Sequence, residues 1–523
     1  MQTGRRQFLK TAGIGLAGAG LAPIWHPAAR LLNFDDTRYF PRVTPESQGI
    51  SSNGILKFVE AANASGASWH SFMLLRRGQV VAEGWWNPYA AEFVHSFYSL
   101  SKSFTSTAIG MLVKDGKLDI SQPVISFFPK ETPADPSPYL RQMTVKHLLT
   151  MNTGHGEDTL PPMKRSSGKT WVSTFLEQPV TYEPGSHFLY NTGATYMLGA
   201  ILHAITGQTL VQYLGPRLFQ PLGITGYDWE TSPQGLNTAG YGLRAKTEDI
   251  AKLGQLYLQK GQWKGQALLT ESWVKDATSY QTSSQVNNGD WSEGYGYQFW
   301  RCRHNAFRGD GAMGQYCIVI PDKEVVIAIT SQTNDMQQSL NIVWDNLLPA
   351  IEPAPLPEAP QAHKALREQL EKLSLPVTAN SAVPAASLKK KKLQLQTEPN
   401  DYGATTMELS FTPSGCTWNT QTAKGTTTIQ CGWGKWLLNK DRQLYTFPEQ
   451  TMNAAPTRVA ATAAWISPTI LQIDLRFVET LHGDRIQFDF GAPKMNISFL
   501  NTVTAMNPKN TDNRKAIRIK NIE

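Results

Sequence analysis

The sequence predicts an α+β protein, an antiparallel sheet flanked by helices with a large helical region, followed by a C-terminal all-β domain. Three observations predict it. A hairpin pattern at 71–86 and a late pair of apolar runs at 315–329 bracket a long helix-rich block, as when one sheet is assembled from both ends of a domain. Past a proline-rich break, apolar and polar residues alternate with period two, the mark of half-buried antiparallel strands.

Taken in order, the chain begins with Gly4-Arg5-Arg6-Gln7-Phe8-Leu9-Lys10, a twin-arginine export pattern that lacks only a Ser or Thr at its first position. A Gly/Ala/Leu-rich stretch, Thr11 to Leu21, follows and stops at Pro23. Residues 1–30 are therefore set aside as a targeting segment, with processing at Ala17-Gly18-Ala19 or nearer Ala29, and the expected location is the periplasm or otherwise outside the cytoplasm. No other run approaches membrane-spanning length, so no stable membrane insertion is expected after processing.

The first domain is read over 34–351. Phe72-Met73-Leu74-Leu75 turns at Arg76-Arg77-Gly78 into Val80-Val81. Late in the domain, Gln315 to Ile320 and Val325 to Ile329 are joined by the proline-led turn Pro321-Asp322-Lys323-Glu324. Residues 352–393 read as a linker, with Glu352 to Glu358 rich in proline, a short charged helix between His363 and Leu373, and the solvated run Lys389–Lys392. Over 394–523, Leu471, Ile473, Leu475 and Phe477, then Ile486, Phe488 and Phe490, alternate with polar residues and predict a meander or barrel.

Composition narrows the class. Of 523 residues 41 % are hydrophobic and 17 % charged, which fits a globular chain with a substantial core. The 49 Lys and Arg against 42 Asp and Glu leave +7, and Arg5, Arg6 and Lys10 supply three of those charges. No basic face or nucleic-acid motif accompanies the excess, so a nucleic-acid partner is not expected. The four cysteines, Cys302, Cys317, Cys416 and Cys431, form two pairs each 15 residues apart, compatible with cross-strand bridges or with buried free thiols. No CxxC, HExxH or Cys/His cluster points to a metal, and no cofactor is expected.

The chemistry-bearing stretch is Phe97-Tyr98-Ser99-Leu100-Ser101-Lys102-Ser103-Phe104. Ser-x-x-Lys also occurs at Ser166/Lys169, Ser272/Lys275 and Ser387/Lys390, but these fall in a polar loop, an ordinary capped helix start and the linker. Only Ser99 follows a strand pair and opens a strong helical pattern, with Phe104, Ala108, Met111 and Leu112 on one stripe and Gly116 at its end. A serine there sits among unpaired first-turn N–H groups, and Lys102, three residues on, shares its face. Such a lysine can activate the hydroxyl when burial lowers its pKa.

Ser99-Leu100-Ser101-Lys102 resembles the nucleophile motif of the penicillin-recognising serine hydrolases, which include class C β-lactamases, D-Ala-D-Ala peptidases, esterases and 6-aminohexanoate-dimer hydrolases. The resemblance extends to Thr144–Gly154, to Pro184–Gly193 and to Gly242–Ala251, and implies a β-lactamase/transpeptidase-like fold. It places Tyr190 in the second motif as proton acceptor or relay, with Asn191 directly after it and Thr192 at the usual asparagine place. Either neighbour is a candidate partner for Lys102 or for a substrate amide. The third motif falls on Gly309-Asp310-Gly311, with Ala312 supplying an oxyanion-hole N–H opposite that of Ser99. The cation usual there is missing, Arg308 and His304 being its possible replacements or simply surface residues.

The resulting expectation is an exported serine hydrolase acting on a small ester, amide or peptide through an acyl-serine, with a neutral substrate favoured over a β-lactam. β-Lactamase or D-Ala-D-Ala carboxypeptidase activity is the alternative within enzymes, and a non-catalytic ligand sensor the alternative outside them. His147 is expected to be a buried hydrogen-bonded residue, and His95 and His187 to lie near the cleft. No Gly-x-Ser-x-Gly elbow exists to support a Ser-His-Asp hydrolase.

Overall fold

The hairpin read at 71–86 forms β1 (Ser68–Arg76) and β2 (Gln79–Trp85), and the late runs form β5 (Gln315–Ile320) and β6 (Val325–Gln332). With β3 (Trp300–Arg301) and β4 (Phe307–Gly311) they make one antiparallel sheet in the order β2-β1-β6-β5-β4-β3, so the first and last strands of the domain do meet, Phe72 opposite Ile329 and Leu74 opposite Ile327. The computed structural model describes residues 39–523 apart from 285, 287, 449–455, 492–494 and 508; the twin-arginine pattern lies outside the described residues.

Strands β5 and β6 are buried along their whole length, which is why they read as continuous apolar runs. On one face packs α1 (Ser52–Ala64), whose Phe58 ring meets Trp69 and Phe72 edge-on at 5.6 and 5.2 Å. On the other lie α2 (Ser101–Lys114) and α4 (Thr247–Leu258); a Cβ at Gly254 would stand 2.5 Å from Val326, so this glycine lets α4 settle on β6. Helix α3 (Thr192–Thr206) belongs to the helical region between the two halves of the sheet.

Every residue of α2 from Ser101 to Leu112 is buried. Its hydroxyls are satisfied by neighbouring carbonyls, Ser103 donating to Gln298 (2.9 Å), Thr105 to Ala239 (2.9 Å) and Ser106 to Tyr297 (2.7 Å). A central helix can therefore be polar in composition without leaving buried groups unpaired.

Within the segment read as a linker, α5 (Pro360–Glu371) carries Leu366, and Leu373 and Leu375 follow it into the same core as β1 and α1. The C-terminal domain is a barrel of ten strands: β7 (Lys392–Thr397), β8 (Thr406–Thr412), β9 (Gly415–Thr422), β10 (Gly425–Trp433), β11 (Leu437–Gln443), β12 (Thr457–Ser467), β13 (Ile470–Phe477), β14 (Gly483–Asp489), β15 (Asn496–Asn501) and β16 (Ile517–Ile522). They run in the order β10-β9-β8-β7-β16-β15-β14-β13-β12-β11, and a parallel pairing of β10 with β12 brings the ends together. Residues 40–523 form one compact unit, with Ala460 and Val478 of the barrel built into the first domain's core.

All four cysteines are buried free thiols. Cys302 accepts from Arg308 Nη1 at 3.0 Å, and Cys317 donates to the Ile250 carbonyl at 3.4 Å. Cys416 and Cys431 face each other across β9 and β10.

Candidate active site

Ser99 lies in a short 3-10 turn, Tyr98–Leu100, that runs directly into α2. The residue before it, Tyr98, holds φ at 49°, a left-handed conformation that a bulky side chain rarely adopts. Two hydrogen bonds fix the turn from within the domain, Ser101 Oγ to the Tyr98 carbonyl (2.6 Å) and Phe97 N to the Leu243 carbonyl (2.9 Å).

One helical turn on, Lys102 brings its amine 3.2 Å from Ser99 Oγ. Its other neighbours are the Gly240 carbonyl at 2.8 Å and Thr192 Oγ1 at 3.3 Å. The side chain is 1 % exposed, and that desolvation brings its pKa down to about 7; Asp158 and Asp310 pull in the other direction. A neutral amine has two N–H donors and one lone pair. Gly240 and Thr192 take the donors, which leaves the lone pair for the Ser99 hydroxyl proton.

Tyr190 sits beside this pair, with Lys102 Nζ 4.8 Å from its ring centroid. Its ring stacks on Trp300 at 5.6 Å and meets Tyr295 edge-on. Burial and then the Asp310 charge push the phenol's pKa up, while its hydrogen-bonding interaction with Ser99 opposes the rise. The phenol therefore keeps its proton at neutral pH.

Of the two neighbours that the sequence left open as partners of Lys102, Asn191 and Thr192, the structure brings up Thr192. Asn191 is fully buried and caps α3, its side-chain oxygen accepting from Ala194 N, Thr159 N and Thr159 Oγ1. Thr192 is the one that meets Lys102. Sequence reasoning passed over Asp158, whose carboxylate receives the Thr192 N–H at 2.9 Å and so links Thr192 to the loop after Thr153. Asp158 also lines a polar cleft of about 330 Å3 together with Glu157, Gln178 and Thr181.

The third-motif stretch closes the site from the sheet side. Strand β4 passes so close to the start of α2 that a Cβ at Gly309 would lie 2.5 Å from Ser103 Oγ, and one at Gly311 2.1 Å from the Phe97 carbonyl oxygen. Small residues here are a steric requirement, and the turn after β4 carries Ala312 at the exposed end of this contact. Arg308 is not a surface residue. It is fully buried, bonded to Asp310 (2.9 Å) and the Arg301 carbonyl (3.2 Å), and lies over Trp291. His304 is exposed on a turn beside Trp344. The Asp310 carboxylate of this strand acts on both Lys102 and Tyr190; burial raises its pKa and Arg308 opposes the rise.

The remaining histidines fall elsewhere. His147 Nδ1 accepts from Thr144 N and caps its own short helix. His95 is buried against His70 (3.0 Å), its pKa brought down to about 4 by desolvation, and His187 stacks on Tyr182. Among the described residues no group of three or more His, Cys, Asp or Glu is arranged to hold a metal ion.

The beta-lactamase family profile matches residues 56–350. The 6-aminohexanoate-dimer hydrolase of Paenarthrobacter ureafaciens is 24 % identical over 285 residues, 51 % of this chain and 73 % of that protein. A Salmonella typhimurium protein provisionally named D-alanyl-D-alanine carboxypeptidase is 30 % identical over 129 residues, 23 % of this chain and only 30 % of its own length. A solved structure from Bacillus anthracis, provisionally named 6-aminohexanoate-dimer hydrolase, superposes with a TM-score of 0.49 at 23 % identity, covering 59 % of this chain and 87 % of that one. With the matched segment exceeding half of its 523 residues, the chain belongs to the beta-lactamase family, a family of serine hydrolases.

Proposed function

We propose that the protein is an exported serine hydrolase that cleaves a neutral ester or amide through an acyl-serine. The observation that carries the reading is the 3.2 Å approach of Lys102 Nζ to Ser99 Oγ by a buried amine whose pKa is brought down to about 7. In the forward half-reaction Ser99 Oγ bonds to the carbonyl carbon and its proton passes to Lys102. The Tyr190 phenol gives its proton to the departing oxygen or nitrogen and regains one from the Lys102 ammonium. Water then enters with the same groups acting in reverse, returning the acid and free Ser99. The Ser99 and Ala312 amides are assigned to the oxyanion, each such donor being worth on the order of 3 kcal/mol of transition-state stabilisation.

Asp310 supports the choice of a neutral substrate. At the place where the motif resemblance implies a cation, Asp310 neutralises Arg308, which disfavours the carboxylate of a β-lactam or a D-Ala-D-Ala terminus. The relative named 6-aminohexanoate-dimer hydrolase is in keeping with amide cleavage. The twin-arginine pattern at 4–10 supports export.

Incubation with a fluorophosphonate and, separately, with labelled penicillin, followed by peptide mass analysis, tests the reading. The expected result is a Ser99 adduct with the fluorophosphonate alone. Adducts with both reagents favour a β-lactamase or carboxypeptidase, and adducts with neither favour a ligand sensor.

A further inference from the structure

The barrel does not hang free of the site. The turn between β13 and β14 carries His482, whose Nε2 lies 2.7 Å from the Tyr98 hydroxyl, across 384 residues of sequence and one position before Ser99. The turn is itself stiff: Thr480 N donates to the Phe477 carbonyl (2.8 Å), Phe477 N to the His482 carbonyl (3.0 Å), and His482 N to Thr480 Oγ1 (3.1 Å). Val478 within it is fully buried in the first domain's core. A second pair of bonds reaches the opposite wall. Gln332 Nε2 at the end of β6 donates to Thr502 Oγ1 (2.9 Å), and Asn334 Nδ2 to the Met506 carbonyl (3.0 Å). Thr333, between them, donates its N–H to the Met313 carbonyl in the turn that bears Ala312 (3.1 Å).

We propose that the C-terminal barrel is a working part of the acyl-transfer site, with His482 the positioning residue that holds Tyr98 and thereby sets the Ser99 hydroxyl against Lys102. The inference rests on Ser99 being the nucleophile. The physical reason lies in the backbone of Tyr98. A tyrosine at φ 49° persists only where its surroundings over-determine it. Relaxation of that torsion swings the following residue, and a misplacement of about 1 Å at a reacting atom costs on the order of a hundredfold in rate. The Tyr98 hydroxyl ends on the barrel at His482, so the phenol–imidazole bond acts as the far anchor of a lever whose short arm is the nucleophile. His482 acts on Ser99 through Tyr98, whose hydroxyl it meets at 2.7 Å.

The test measures the second-order rate of Ser99 labelling by a fluorophosphonate, together with kcat and KM on a neutral ester and the melting temperature. The variants are Tyr98→Phe, His482→Ala, His482→Gln, the double Tyr98→Phe/His482→Ala, and Tyr89→Phe. The last removes another phenol bond between the domains, from Tyr89 to the Thr480 carbonyl (3.1 Å), which ends on the same turn but leaves the His482–Tyr98 bond in place. The expected result is a tenfold or greater loss of labelling rate and kcat in Tyr98→Phe and His482→Ala, with KM little changed and no further loss in the double variant. His482→Gln, whose amide can donate or accept near the Nε2 position, recovers part of the loss, and Tyr89→Phe stays within about twofold of the parent.

Wild-type labelling rates in Tyr98→Phe overturn the proposal, as do losses that multiply in the double variant or an equal loss in Tyr89→Phe, which would mark the bond as mere interface stability. Tyr98→Phe keeps the ring and decides the matter if His482→Ala fails to fold. A parent protein with no adduct on Ser99 removes the nucleophile reading itself, a result distinct from normal Ser99 labelling in Tyr98→Phe.

Discussion

Arg308 Nε meets Asp310 Oδ2 at 2.9 Å inside the sheet, with the arginine side chain fully removed from solvent and that of the aspartate nearly so. The pair neutralises the cation of the third-motif strand, and Asp310 acts on Lys102 and Tyr190 together with Asp158. A substrate carboxylate in the same place meets a cation already neutralised, and the missing charge-assisted bond costs about 2 kcal/mol, or roughly thirtyfold in kcat/KM. Paired substrates differing only in a carboxylate near the scissile bond are expected to show that preference for the neutral one. Asp310→Asn is expected to narrow it at least tenfold, because Arg308 then stands unneutralised. The same variant is expected to lose about 3 kcal/mol of stability for the charge left without its partner.

The acid limb of activity follows from Lys102. Only the neutral amine accepts the Ser99 proton, so kcat/KM is expected to rise with unit slope as pH increases and to level off above about 7, where the buried amine loses its proton. Asp310 raises the Lys102 pKa, so in Asp310→Asn the limb is expected to move to lower pH. A pH–rate profile on a neutral ester reads both. A limb that stays in place in the variant, or one that rises only near pH 10, contradicts the assignment of Lys102 as base.

Lys102 also links pH to stability, with a definite sign. The unfolded amine keeps its proton up to about 10.5 and the folded one only up to about 7, so between those values the unfolded chain binds the extra proton and stability rises with pH. Below pH 7 the full penalty of the buried charge is present; above 10.5 it is gone. Lys102→Met removes the ionisation, and the pH-dependent part of the parent-minus-variant difference in unfolding free energy is expected to change by up to about 1.4 kcal/mol per pH unit within that window, in favour of the parent as pH rises. Denaturant unfolding of parent and variant at pH 6, 8 and 10 measures it, and the variant is expected to be inactive.

How much of this was legible in the sequence depended on whether the contact is local. Ser99 and Lys102 are three residues apart on one helix, so their meeting follows from helical geometry. Tyr190 lies some ninety residues on and was reached by resemblance to a known motif. The choice between Asn191 and Thr192 stayed open because it turns on which of two adjacent side chains faces inward, and that is set when Asn191 caps α3. The Gly240 carbonyl and Asp158 carry no motif, since a backbone acceptor or a loop carboxylate earns its place only from the tertiary fold. Arg308 looked equally fit for the surface because its partner, two residues along a strand, is visible only once both face the same buried side. Nor does the sequence name the carbonyls of Gln298, Ala239 and Tyr297 to which Ser103, Thr105 and Ser106 of the hydroxyl-rich α2 donate, since they come from distant parts of the chain. His482 could not have been found without coordinates.

The two glycines flanking Asp310 give a final, sterically clean prediction. Neither adopts a left-handed backbone, so alanine at either position is tested by space alone. At Gly309 the new methyl group meets Ser103 Oγ and Leu100 Cδ1, ends of side chains that can rotate aside. At Gly311 it meets the Phe97 carbonyl oxygen at 2.1 Å and its carbon at 3.1 Å, backbone atoms two residues before Ser99 that have no rotamer to change. Gly311→Ala therefore has to push the Phe97–Ser99 segment away from β4 or bend β4 itself. Both are expected to cost about 1–3 kcal/mol of stability by overpacking. Activity is expected to separate them: Gly311→Ala loses about a hundredfold or more in kcat by displacing Ser99 and the Ala312 turn together. Gly309→Ala, whose clash is absorbed by side chains inside α2, loses less than tenfold. Equal losses of kcat at matched stability would show that the close approach of Gly311 to Phe97 does not set the position of the reacting serine.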